Sequence, residues 1–196
     1  MSTKADIPAE LHDTVCRDMQ VWLERAVIGL NLCPFAKSVH VKGQIRWVVS
    51  AARDAQALRE DLRHALLALV ASDPAQTDTT LLMAPWCLAD FLDFNDFLGE
   101  ADAVLDELDL QGTLQIASFH PDFQFAGTMS DDITNYSNRA PYPTLHLLRE
   151  ASIDRAVEAF PEAEAIYERN IQCLRELGPV GWQALDVRRN VKDDLP

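Results

Sequence analysis

From Pro8 to Leu32 the apolar residues Leu11, Val15, Met19, Trp22, Ala26 and Leu30 recur three or four positions apart. That spacing lines one face of an α-helix. Pro34 cannot continue it, so the helix is expected to stop near Leu32 or Cys33. The pattern then changes. QIRWVVS, from Gln44 to Ser50, is short, β-branched and aromatic and predicts a strand. DAQALREDLRHALLALVAS predicts an amphipathic helix opened by Asp54 as its cap. TDTTLLMAP predicts a second strand stopped by Pro85, Leu88 to Leu108 a further helix with a break near Asn95 or Gly99, and GTLQIASF a third strand. Helices and strands alternating in this way point to an α/β domain whose right-handed crossovers make these three strands parallel.

The alternation is interrupted between Ser118 and Glu150, in SFHPDFQFAGTMSDDITNYSNRAPYPTLHLLRE. Unstructured connections longer than ~12–15 residues are uncommon inside a domain and are functional or disordered. Phe119, Phe123, Phe125, Tyr136 and Tyr142 make this stretch too aromatic for a disordered linker, and Pro141 and Pro143 stiffen its return. It reads as an ordered loop that ends in a fourth strand, TLHLLRE. Ser152 is expected to cap a short helix. PEAEAIYERNIQCLREL predicts a last helix, with Pro161 in its first turn and Gly178 just past its end. The expected architecture is a single α/β domain over residues 8–182: a mixed sheet of about four strands flanked by helices, with one long ordered loop. A charged, flexible tail is expected over 183–196.

Length and charge narrow the function classes. A chain of 196 residues is enough for one domain with a substantial core. A net charge of −14 argues against nucleic acid as a partner. No apolar run reaches the ~18 residues of a membrane span, and the polar N-terminus is unlike a signal peptide, so a cytoplasmic location without membrane contact is expected. Cys16, Cys33, Cys87 and Cys173 are scattered without a CxxC pair, which suits free thiols in a reducing compartment. The acids are unevenly spread. None lies between Glu24 and Asp54, where Arg25, Lys37, Lys42, Arg46 and Arg53 fall, and none between Asp132 and Glu150, where Arg139 and Arg149 fall. Two such segments could focus a small anion into a cleft.

The candidate chemistry gathers on histidines. In a strand, residues i and i+2 share a face, so His120 and Asp122 could stand side by side, the carboxylate fixing the tautomer of a general base or metal ligand. His146 lies in the fourth strand. Were that strand an antiparallel neighbour of the third, the two imidazoles would be expected to meet over one site. Asn135, Asn138 and Arg139 offer amide and guanidinium groups for an anionic substrate, and Lys37 and His40 could complete a positive rim. Cys33, in GLNLCPFAK, follows a helix and lacks a second cysteine, which argues against a thioredoxin-like site; it remains a nucleophile or metal-ligand candidate with His120 and His146. No Walker A, GxGxxG, GxSxG or HExxH pattern occurs.

The segments VIGLNLCPFAKSVHVKG, ASFHPDFQFAG and NYSNRAPYPTLHLLREASIDRAV together resemble the bacterial domain-of-unknown-function family 1415 over roughly Val15 to Gly181. The resemblance implies an intracellular protein of similar length and carries no activity. From the residues, the expected function is an enzyme acting on an anionic small molecule, with His120, Asp122 and His146 catalytic, Lys37, His40, Asn135, Asn138 and Arg139 binding substrate, and a metal as a variant. The rival expectation is a non-catalytic ligand- or protein-binding domain that uses the 119–143 loop.

Overall fold

Leu81 and Met83 pack on one side of the sheet and Leu82 on the other, and that alternation in a single buried strand organises the molecule into three layers. The computed structural model describes residues 7–159 and 165–191. Four strands, β1 (Ile45–Val49), β2 (Thr79–Met83), β3 (Leu114–Phe119) and β4 (Thr144–Arg149), form one sheet in the order β1-β2-β4-β3. β1 pairs with β2 in parallel, and β4 lies antiparallel to both β2 and β3. So β1, β2 and β3 run in one direction and the returning β4 is inserted between the last two. All four strands fall where the sequence pattern puts them.

The helices α3 (Ala55–Ala71) and α4 (Phe91–Glu107) supply the two crossovers and cover one face. Leu58, Leu62, Leu66, Phe94, Phe97 and Val104 bury there against Val48, Leu82, Leu145 and Leu147. Asp54 caps α3 by accepting from Ala57 N at 2.8 Å, as expected. α4 is capped by Asp90 and runs unbroken through Asn95 and Gly99, against the expected break. Its buried stripe of Phe94, Phe97, Ala101, Val104 and Leu105 outweighs two poor helix formers.

The other face is covered by α1 (Ala9–Trp22) and α6 (Ile166–Ala184). Val15, Met19, Trp22, Leu174 and Trp182 pack there with Ile45, Trp47, Leu81, Met83 and Phe119. Beyond Trp22 the helix widens into a π-helical turn, Leu23–Ile28, earlier than the end expected from Pro34. A short α2 (Ala36–Val41) leads into β1. α5 (Glu150–Ala159) begins before Ser152, whose hydroxyl donates to Asp78 instead of capping. Pro161 lies outside the described residues. Gly178 adopts φ 63° and kinks α6, but the helix resumes past Pro179 to Ala184.

Of the tail expected over 183–196, residues 192–196 lie outside the described residues, and the described part differs from expectation. Residues 183–191 are not a loose tail: Val191 is buried, and Asn190 donates through both its backbone and its side chain to the buried carboxylate of Asp18. Tyr142 donates to the same carboxylate at 2.6 Å. Burial, reinforced by that bond, pushes the Tyr142 phenol far above its ordinary range. A charged composition concealed one buried anchor, Val191, and the bonds of Asn190 to Asp18.

Candidate functional site: a cleft at the carboxyl ends of the strands

The loop between β3 and β4 is ordered by its own polar groups. Asn135, fully buried, accepts from Phe125 N (3.0 Å) and Thr128 Oγ1 (2.8 Å) and donates to Met129 O (2.8 Å). Asp132 caps the 3₁₀ turn Ile133–Asn138 by accepting from Thr134 N. Asn138 donates to Ser118 O, and His120 N donates back to Asn138 O. Arg139 donates to Phe123 O (3.2 Å) and Ser130 O (2.6 Å) while its guanidinium lies 4.3 Å from the Tyr136 ring centroid. Asn135 and Asn138 therefore spend their amides on the loop and on the end of β3.

His120 is fully buried between Phe91 and Phe94. Its Nδ1 accepts from the backbone N–H of Asp122 at 3.0 Å, and its Nε2 must then carry the proton it donates to Leu88 O at 3.0 Å. Burial pushes its imidazole below the usual histidine range. Leu88 sits at φ 54°, a conformation a bulky side chain rarely takes, and the bond from His120 helps hold it there. Thus Asp122 fixes the ring through its amide and not through its carboxylate. Neither nitrogen is left for a substrate proton.

His146 faces the other side of the sheet. It lies against Phe119 and bonds Thr79 Oγ1 at 2.8 Å. Because that hydroxyl donates to Leu147 O, it accepts from His146 Nε2. Desolvation pushes the imidazole down to about 4. β3 and β4 are antiparallel neighbours, as the shared-site expectation required, but the histidines do not meet. Ala117 is the ladder partner of His146 and His120 lies three residues further on. An odd offset places side chains on opposite faces.

The remaining candidates are also dispersed. Lys37 is exposed on α2, and His40 on the same helix pairs with Glu24 at 3.1 Å. Cys33 packs at the edge of the core under α1. Among the described residues no three histidine, cysteine, aspartate or glutamate side chains gather as a metal set, so the ligands proposed for a metal do not fit one.

What does converge is a cleft of about 350 Å³ beyond the carboxyl ends of β2 and β3. Its floor and apolar walls are Trp22, Trp182, Tyr136 and the prolines 85, 121, 141 and 143. Tyr136 and Trp182 meet edge-to-face at 5.0 Å, and Trp22 Nε1 donates to Arg139 O at 2.8 Å. Three arginines, Arg139, Arg188 and Arg189, line it against one carboxylate, Asp122. Arg189 is anchored by donating to Pro85 O and Val191 O, and Arg188 pairs with Asp186. Of the site residues read from sequence, only Arg139 and Asp122 line this cleft. Trp22, Trp182, Arg188 and Arg189 were missed. The available signal was Arg188-Arg189, the one adjacent basic pair of an acidic chain, with apolar Leu185, Val187 and Val191 around it.

A family described as protein of unknown function (DUF1415) matches residues 14–184. The chain belongs to that family. Neither a curated protein nor a solved structure matches it. No helix among the described residues is long and apolar enough to cross a membrane. The matched region of this DUF1415 protein carries most of the cleft, whereas Val187, Arg188 and Arg189 lie beyond it.

Proposed function

We propose that the protein is a ligand-binding domain that holds a small anion with an apolar body in the cleft beyond β2 and β3. One observation carries this reading: Arg139, Arg188 and Arg189 line the same small concavity as Trp22, Tyr136 and Trp182, in a chain whose overall charge is −14. Backbone carbonyls hold Arg139 in place without neutralising it. Aromatic walls beside the guanidinium groups lower the local dielectric, which strengthens charge pairing there. The position supports the same reading, since open α/β sheets take ligands outside the carboxyl ends of their strands. Seven of the lining residues belong to the 119–143 loop, which gives that long ordered segment its purpose.

The histidine acid/base step expected from sequence is not part of the proposal, because both nitrogens of His120 are held by backbone groups. Free cysteines among the described residues support placing the protein in a reducing, cytoplasmic setting. The test is thermal unfolding with benzoate and with inorganic phosphate, against sodium chloride at matched ionic strength. Ligand at ten times its Kd should stabilise by about 1.4 kcal/mol. Arg188→Gln removes a charge that is bonded only to Asp186 among the described residues, and should weaken the effect without unfolding the protein. Equal stabilisation of wild type and variant would place the anion elsewhere.

A further inference from the structure

At the far side of the sheet from the loop, β1 is an edge strand. Thr79 N donates to Gln44 O and Ser50 N donates to Met83 O, so the even-numbered residues of this segment turn their backbone groups toward β2. The N–H and C=O groups of Ile45, Trp47 and Val49 therefore point outward. Among the described residues nothing bonds to them. Natural edge strands are protected by prolines, bulges, several charges or a covering element. β1, with the sequence IRWVV, has a single charge and no proline.

The edge does not lie on an open surface. A groove of about 440 Å³ runs along it between α1 and α3, with His12 on one wall, His64 and Ala68 on the other, and Arg46 and Val48 from the strand itself. Its polar lining is largely committed. Asp61 accepts from Ser50 Oγ at 2.6 Å, and His12 lies 3.4 Å from Asp13. Arg46 and His64 have no hydrogen bond or ion pair among the described residues. What remains unspent is thus a row of backbone donors and acceptors, one permanent cation and one imidazole.

We propose that this edge is a docking groove for an extended peptide segment of a partner protein that carries acidic side chains at alternate positions. Strand addition takes its affinity from main-chain bonds and its specificity from alternate side chains. Arg46 shares the α3-facing side of β1 with Val48, while Ile45, Trp47 and Val49 face the α1 layer. A partner strand would accordingly place carboxylates beside Arg46 and His64 and apolar side chains beside Trp47 and Val49. The surface is separate from the arginine cleft and does not depend on it.

The test uses a capped, fluorescently labelled Glu-Val-Glu-Val-Glu-Val peptide, its Lys-Val counterpart, and amide hydrogen exchange on the full chain. The acidic peptide should bind and slow exchange at Ile45, Trp47 and Val49 by about tenfold or more. Arg46→Glu, at an exposed position, should reverse the preference between the two peptides. Absence of binding, binding without protection of those three amides, or unchanged preference in Arg46→Glu would overturn the proposal. So would amides already protected without peptide: protection that rises with protein concentration would identify a second copy as the occupant, and protection independent of it would identify this chain's own residues.

Discussion

His120 and His146 stand on neighbouring antiparallel strands and face opposite sides of the same sheet. His120 is fully buried and His146 partly so, and the two bond to different parts of the fold. His120 ties the end of β3 to the turn before α4, where it satisfies Leu88 O and Asp122 N together. Replacing it with Ala removes both bonds, at a cost of about 0.5–1.5 kcal/mol each, together with the packing of the ring between Phe91 and Phe94. With the lost packing of a fully buried ring, His120→Ala should therefore lower the free energy of unfolding by ~2–4 kcal/mol in urea titrations. A loss within error would mean the turn has other support.

How much of this was legible in the sequence follows from what kind of information each feature needs. Strands such as Thr144–Arg149 are written in local alternation, and the pattern located them. The face on which a residue at a strand end lies depends on register, and register comes from pairing. Thr144 opposite Phe119 sends His146 and His120 to different layers; no local pattern contains that fact. The cleft needs still longer relations, since Trp22, Pro85, Arg139 and Arg189 come from four separate parts of the chain. Arg139 was found because it sits in an unusual loop. Arg188 and Arg189 were not, because the buried Val191 and the Asp18-bound Asn190 were hidden in a segment of charged composition.

Both histidines make stability depend on pH, and the sign is fixed by their depressed values. A folded-state imidazole near 4 binds fewer protons than the unfolded one at ~6.5. Stability is then fully present above pH ~6.5 and is lost as the pH falls toward about 4. One such group gives a slope of up to ~1.4 kcal/mol per pH unit within the window. Urea unfolding at pH 7.5 and 5.0 should show this decline, and His146→Gln should reduce its slope while His120 maintains the remainder. An equally steep decline in His146→Gln would assign the linkage to other groups.

Asp18 ties the C-terminal segment to α1 and to the loop through Tyr142 and Asn190. Hydrogen bonds to a charged group are worth about 1.5–3 kcal/mol each. Asp18→Ala should destabilise by at least ~2–3 kcal/mol on that basis. Asn190→Ala should cost less, yet it should expose 185–191 to limited proteolysis while α3 and α4 stay resistant. Unchanged proteolysis in both variants would show that Val191 and Arg189 suffice to hold the segment.

The arginine cleft can be tested through the four tryptophans of the chain. Trp22 and Trp182 line the cleft; Trp47 and Trp86 do not. The indole N–H of Trp22 donates to the backbone of Arg139, so it senses the guanidinium-bearing residue directly. In a ¹⁵N-correlated NMR titration with benzoate, assigned by single Trp→Phe substitutions, the indole signals of Trp22 and Trp182 should shift along one saturable curve. Those of Trp47 and Trp86 should stay in place, and Arg188→Gln should raise the Kd by about two- to fivefold, the loss of ~0.5–1 kcal/mol expected for an exposed charge pairing. Saturable shifts at Trp47 or Trp86 with Trp22 and Trp182 unmoved, or no saturable shift at any of the four, would contradict the anion-binding account.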